Sequence, residues 1–337
     1  MLVATGAALL VFTAALLWII PSDQYLFLPD NAKPVAPIVS VKGGKDPSGP
    51  GGIYFDAVIV RKARLFEKLF HFVHDGETLV PASSVNPPGV SDTKRRAEDL
   101  QDMARSQDIA AAVALKYLGR KVVFHPKGAL IQAVAPDSPA AKGGLVPGDI
   151  IVAIDGKPVR RIADVSRLMS AHKPGDKVKV GLRQGKGLVT EEIGTSHCVG
   201  HPPDCDPNRA VFGILVKTAT QIDLPIDVQI DTGQIGGPSA GLAFALDVLE
   251  ELGHDVTRGY KVAATGELDV DGTVSPIGGA KQKAIGVDRA GVDVFLVPAG
   301  DNYEEARKWA GDVKVIPVES FQQALHALAT LPPKTQK

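Results

Sequence analysis

The sequence has no excess charge of either sign. Its 337 residues carry 37 Lys and Arg against 38 Asp and Glu, a formal net charge of −1. No broad basic field recommends nucleic acid as a partner. There is no GxxxxGK[ST] segment, so no phosphate-cradling loop of that kind and no ATP-driven unfolding is expected of this chain. The glycine-rich stretch 42–52 does not supply one, because it lacks the GKS or GKT ending. Cysteine is nearly absent, with Cys198 and Cys205 the only two. No motif calls for a cofactor or a metal. What is present is a folding composition, 45% hydrophobic and 22% charged, at a length that suits about two domains.

Residues 2–20 contain no charge. At ~1.5 Å per residue such a run reaches across a bilayer, and a transmembrane helix over 1–20 is expected, with Trp18 and Tyr25 at the far interface. A cleaved signal peptide is the rival, but neither a basic leader nor a small-x-small site is evident. No Lys or Arg precedes the run, so the positive-inside rule has little to act on. Cys198 and Cys205 leave three readings open: a small disulfide loop, two free thiols, or zinc with His197, His201 and Asp204. The disulfide favours a C-terminal body outside the cytoplasm.

Residues 21–52, rich in proline and glycine, read as a tether, and 53–119 as a strand and helical region. Within it, 54–61 is expected as a strand, 63–76 as a helix, 79–92 as a loop and 93–117 as a long helix. From 120 to 193 short strand-like runs alternate with Ser138-Pro139-Ala140-Ala141, Pro147-Gly148-Asp149 and the Asp155-Gly156 turn. Asp164 is placed to cap a following helix. This order resembles a PDZ domain, most specifically over 138–159. The resemblance implies a β-rich module that takes an extended peptide beside a strand. Its carboxylate-binding turn falls at Lys127, Gly128, Ala129 and Leu130. Pro126 departs from the usual turn because it offers no N–H. Docking of the module onto its own neighbouring domain is the alternative.

From 209 to 330 the texture is α/β. Gly236-Gly237-Pro238-Ser239-Ala240-Gly241 frames a serine at the opening of a helix, and Lys281 and Lys283 follow in a second glycine-framed segment. A serine needs a base to become a nucleophile, and a neutral lysine can be that base. The two lysines do not share a helical face, and spacing alone does not choose between them. Backbone N–H groups of Gly237, Ser239 and Ala240 are candidates for an oxyanion site. A serine that merely caps its helix is the bland alternative.

Five ordered pieces make this region similar to the proteolytic domain of the Lon protease family. They are Gly237-Pro238-Ser239-Ala240-Gly241, Thr265-Gly266-Glu267, Gly272-x-Val274-x-Pro276-Ile277-Gly278-Gly279, Lys281-x-Lys283 and Arg289-Ala290-Gly291. The resemblance implies nucleophile Ser239, general base Lys283 and a supporting Thr265 hydroxyl. Many Lon proteases carry an acid three positions before the serine, where this chain has Gly236. With the apolar N-terminal run and the PDZ-like region, the whole resembles the bacterial membrane-anchored PDZ–Lon proteins. The expected architecture is therefore an α/β (α+β) Lon-type domain, preceded by a PDZ-like domain and one N-terminal transmembrane helix. The expected function is an ATP-independent serine endopeptidase on unfolded or membrane-proximal polypeptides. It would sit single-pass in a bacterial plasma membrane, in contact with lipid through the helix, with its C-terminal domains outside the cytoplasm. The Lon resemblance also implies a homo-oligomer. The alternative is a peptide-binding membrane scaffold with a restrained protease domain.

Overall fold

The computed structural model describes residues 2–45, 47, 51–70, 73–86, 91–185, 187–198, 206, 208–332 and 334, and of the side chains of residues 2–11 only those of 5 and 9. The chain divides into two units, Val123–Asp223 and a second made of Met1–Val122 with Leu224–Lys337. The first helix, α1 (Leu2–Ile19), has 18 residues. At ~1.5 Å per residue it is about 27 Å long, short of a hydrocarbon core of ~30 Å. It cannot run on, because the chain goes into a strand at Pro21. Among the described residues no helix is long and apolar enough to cross a membrane. This corrects the expected transmembrane helix, the lipid contact through it, and the single-pass membrane placement.

Residues 21–52, read from composition as a tether, hold regular structure. Strand β1 (Pro21–Pro29) is followed by β2 (Lys33–Pro34), β3 (Val39–Val41) and β4 (Gly52–Phe55). The expected strand 54–61 is broken at Asp56 and Ala57, and β5 (Val58–Arg64) resumes after them. With β6 (Thr78–Pro81), β1 and β5 form a three-stranded antiparallel sheet in the order β5-β1-β6. The expected helix over 63–76 is described only as Leu65–Leu69. The long helix is present as α2 (Asp92–Tyr117), opened by Ser91, whose hydroxyl accepts from Lys94 N–H at 3.2 Å. Its buried residues include the small Ser106, Ala110, Ala111 and Ala114 beside Met103, Val113 and Leu115.

The unit Val123–Asp223 is a sheet of β7 (Val123–Val134), β8 (Ile150–Ile154), β9 (Lys177–Gln184), β10 (Gly187–Gly194) and β11 (Ile214–Asp223). Its order is β10-β9-β8-β7-β11, antiparallel throughout. Helix α3 (Ile162–Met169) packs Val165, Leu168 and Met169 into its core beside Ile131, Ile151 and Val180. Asp164, expected as the cap, lies inside the first turn and accepts from Arg160 and Arg161 N–H. Cys198 is disulfide-bonded. Cys205, the chain's other cysteine, lies outside the described residues, as do His201 and Asp204.

From Leu224 the chain completes the unit that Met1–Val122 begins. Strand β12 (Val228–Ile230) pairs with β3. Then come helix α4 (Gly241–Glu251), β13 (Lys261–Ala264), helix α5 (Ala280–Arg289), β14 (Val294–Pro298) and β15 (Lys314–Val318). The sheet runs β2-β4-β13-β14-β15, with β4, β13, β14 and β15 parallel. Every residue of β14 is buried, as expected of a parallel strand covered on both faces. One face packs Leu242, Phe244, Ala245 and Leu246 with Val35, Ile53 and Phe55 from the N-terminal segment. The other packs Ala284 and Val287 with Phe295. Gly286 shows how closely that segment lies: a Cβ there would stand 1.9 Å from Asp30 O.

Burial in α4 pushes the Asp247 carboxyl up to about 8, and the charges of Glu251 and Glu250 add to the rise. The folded value lies above the ordinary 3.8. The protonated acid therefore stabilises the fold fully at low pH, and this contribution is lost as pH rises toward about 8. Asp247→Asn removes the titration. Its Tm relative to the parent is expected to rise steadily between pH 5 and 8 in differential scanning calorimetry, by about 4 °C or more.

Candidate active site

The parallel register of β4 on β13 sets Val262 beside Ile53 and Ala263 beside Tyr54. Continued two residues, it brings Asp56 opposite Thr265 at the carboxyl ends of the two strands. Side chains of an open parallel sheet converge on a ligand at such strand ends. Lys283, in the first turn of α5, enters the same space and is 3% exposed. Its Nζ lies 2.6 Å from Asp56 Oδ1, 3.2 Å from Asp56 O, 3.0 Å from Thr265 Oγ1 and 3.0 Å from Ser239 Oγ.

Ser239 stands two residues before α4, and its hydroxyl meets Lys283, while Ala240 occupies the cap position without a side-chain bond. The serine backbone is held from the other side. Its carbonyl accepts from Gly266 N–H at 2.8 Å and from Thr265 Oγ1 at 3.1 Å. Thr265, 1% exposed, thus spends its proton on the serine carbonyl and offers its oxygen to Lys283.

The geometry separates the two lysines that spacing could not. Lys281 turns away: its Nζ donates to Glu77 O at 3.0 Å and sits 4.6 Å from the centre of the Trp309 ring. Asp56 is the residue that sequence reasoning missed. The available signal was one acid inside an otherwise apolar strand run, at the point where the strand breaks.

The loop that carries Ser239 is braced by α2. Gly237 N–H donates to Asp99 O at 2.7 Å, and Ser106 Oγ donates to Pro238 O at 3.0 Å. Gln107 reaches Thr232 at 3.0 Å. The absence of an acid at Gly236 has its reason here, since a Cβ at that position would stand 2.7 Å from Asp99 Cβ. Of the three N–H groups expected to face an oxyanion, that of Gly237 is engaged by Asp99. Those of Ser239 and Ala240 lie at the start of α4.

The expected peptide-binding turn is not a turn. Lys127, Gly128, Ala129 and Leu130 lie within β7, where Ala129 pairs with Thr218 of β11 on one side and Ile151 of β8 on the other. Both edges of the strand are occupied at that point, so no strand can be added there. The edge lies at β11. Beside it is a cavity of about 1100 Å³ lined by Val165 and Met169 of α3, by Phe212, Ile214 and Val216, and by Arg209.

Comparison with known proteins assigns both regions. Residues 210–330 match the Lon protease (S16) C-terminal proteolytic domain and residues 130–184 match the PDZ domain. Lon protease 2 of Bacillus subtilis is 32% identical over 34% of this chain and 20% of its own length. A probable periplasmic serine endoprotease DegP-like of Pseudomonas fulva is 49% identical over 25% of this chain and 17% of its own length. The chain thus spans about a fifth of the length of these curated relatives. Among solved structures, the PDZ domain of an SdrC-like protein from Listeria monocytogenes is 24% identical, with a TM-score of 0.24, covering 27% of this chain and 87% of that one. The chain therefore carries an S16-type proteolytic domain together with a PDZ domain.

Proposed function

We propose that the protein is an ATP-independent serine endopeptidase that cuts unfolded polypeptides with a Ser239–Lys283 dyad. One observation carries the reading: the 3.0 Å approach of Lys283 Nζ to Ser239 Oγ, with Lys281 turned elsewhere. Ser239 Oγ bonds to the scissile carbonyl carbon and its proton passes to Nζ. The carbonyl π pair becomes an oxyanion facing the Ser239 and Ala240 N–H groups, where the α4 dipole also favours negative charge. Collapse breaks the C–N bond, and the leaving amine takes the proton from Nζ. Water then hydrolyses the acyl-enzyme by the same route. Restriction to unfolded substrates follows from the missing nucleotide loop, since this chain has no motor of that kind.

The edge of β11, unpaired by any strand among the described residues, and the cavity beside it support a second role, the holding of an extended stretch of substrate by strand addition. Arg209 on the rim complements acidic or carboxylate-bearing segments. A peptide-binding scaffold is the competing function, and one observation favours it: the tie of Gly237 N–H to Asp99 restrains the nucleophile loop.

The full chain is expected to cleave a reduced, unfolded protein without ATP, with new termini mapped by mass spectrometry. Ser239→Ala and Lys283→Ala should each lower kcat/KM by roughly 10³-fold or more. Cleavage that survives either change sinks the dyad, and binding without any cleavage establishes the scaffold. Gly236→Ala should lower kcat/KM about tenfold or more through its collision with Asp99. An unchanged rate would show that the α2 brace does not set the loop. Arg209→Ala, in a Ser239→Ala background, should weaken binding of an acidic peptide about tenfold by fluorescence anisotropy.

A further inference from the structure

We infer that Asp56, from the break between β4 and β5, is the positioning residue of the site and the charge partner of Lys283. This rests on the Ser239–Lys283 reading above and extends it to a third side chain that neither matched domain contains, since Asp56 lies outside residues 210–330 and 130–184.

Four oxygens surround Nζ: Asp56 Oδ1, Asp56 O, Thr265 Oγ1 and Ser239 Oγ. An ammonium has three N–H donors, whereas a neutral amine has two and one lone pair. For the amine to accept the Ser239 proton, its lone pair must face Ser239 Oγ. Its two N–H groups must then go to Asp56 and Thr265. Thr265 has its own proton committed to Ser239 O, so its oxygen can only accept. Asp56 and Thr265 together therefore set the rotation of the amine that aims the lone pair at the nucleophile.

Charge makes Asp56 more than an acceptor. When Nζ takes the Ser239 proton, an ammonium forms beside the Asp56 carboxylate, in a place where the two side chains are 3% and 1% exposed. Water cannot stabilise that cation, and the carboxylate can. The attraction is gained as the proton moves, so it lowers the barrier and not merely the ground state. Asp56 is the one charged group in hydrogen-bond contact with Nζ among the described residues. Ser239 from the loop and Thr265 from the end of β13 are hydroxyls, and Lys281 on the same helix points to Glu77 O and Trp309. Asp56 Oδ2 has no hydrogen-bond partner among the described residues, which leaves the carboxylate charge to Lys283.

The test is the pH profile of kcat/KM for cleavage of an unfolded protein by the full chain, as parent, Asp56→Asn and Asp56→Glu. Loss of the charge should lower the plateau about tenfold or more. The loss should fall on kcat, with KM within about threefold of the parent's, because the charge acts as the proton moves. Asp56→Glu, which keeps the charge, should recover most of the plateau that Asp56→Asn loses. If Asp56→Asn does not fold by circular dichroism, Asp56→Thr replaces it, since a hydroxyl keeps an acceptor for Nζ without charge. A purely structural role would lower the plateau to the same extent in Asp56→Asn and Asp56→Glu, and that result overturns the inference. A parent whose cleavage does not depend on Ser239 overturns the dyad itself, and the role of Asp56 with it.

Discussion

A lysine nitrogen held 3% exposed needs oxygens around it, and the arrangement of the protease unit follows from which elements supply them. The end of β13 brings Thr265, the loop before α4 brings Ser239, and the break after β4 brings Asp56. None is a sequence neighbour of Lys283. They meet because β4 and β13 are parallel and in register, so their carboxyl ends lie side by side, and because α5 crosses over from β13 to β14. A slip of one residue in the β4–β13 pairing would turn Asp56 to the opposite face of the sheet and leave the lysine beside hydroxyls alone.

The first 122 residues are therefore part of the unit that holds the site and not a lead-in to it. They supply an edge of its sheet, the face of α2 that supports the Ser239 loop, and the acid on the lysine. This also explains Gly236. The acid that many Lon proteases place three residues before the serine has no room here, because Asp99 of α2 fills the space and its carbonyl holds Gly237 N–H. A carboxylate reaches the site from another part of the chain instead. In energetic terms the exchange replaces a local loop contact with a buried ion pair, which is costly to break by removing one partner.

The PDZ unit shows how a motif can be read correctly as a domain and wrongly as a site. Residues 120–193 carried the strand and turn pattern, and the match to the PDZ domain covers 130–184. The sheet is completed, however, by β11, which begins at Ile214 and lies within the range matched to the proteolytic domain. That strand covers the edge of β7 where the peptide was expected and becomes the new edge itself. Local sequence cannot report a partner strand some 90 residues away, because a strand's own pattern is the same whichever neighbour pairs with it.

The sequence by itself determined the two domain types, a glycine-framed serine with a lysine segment after it, the long helix expected over 93–117 and the α/β texture after Leu224. Each of these is a local pattern: glycines that frame a turn, an apolar period, or ordered short motifs. It misjudged the N-terminal helix, which ends at Ile19 as the chain enters a strand, and it read residues 21–52 as a tether because their pairing partners are distant. Only the tertiary structure decided why Gly236 carries no side chain and that Asp56 joins the site. Those outcomes depend on the register of parallel strands and on the space left between packed helices. Both are set by contacts between residues far apart in the chain, for which one strand or one loop holds no record.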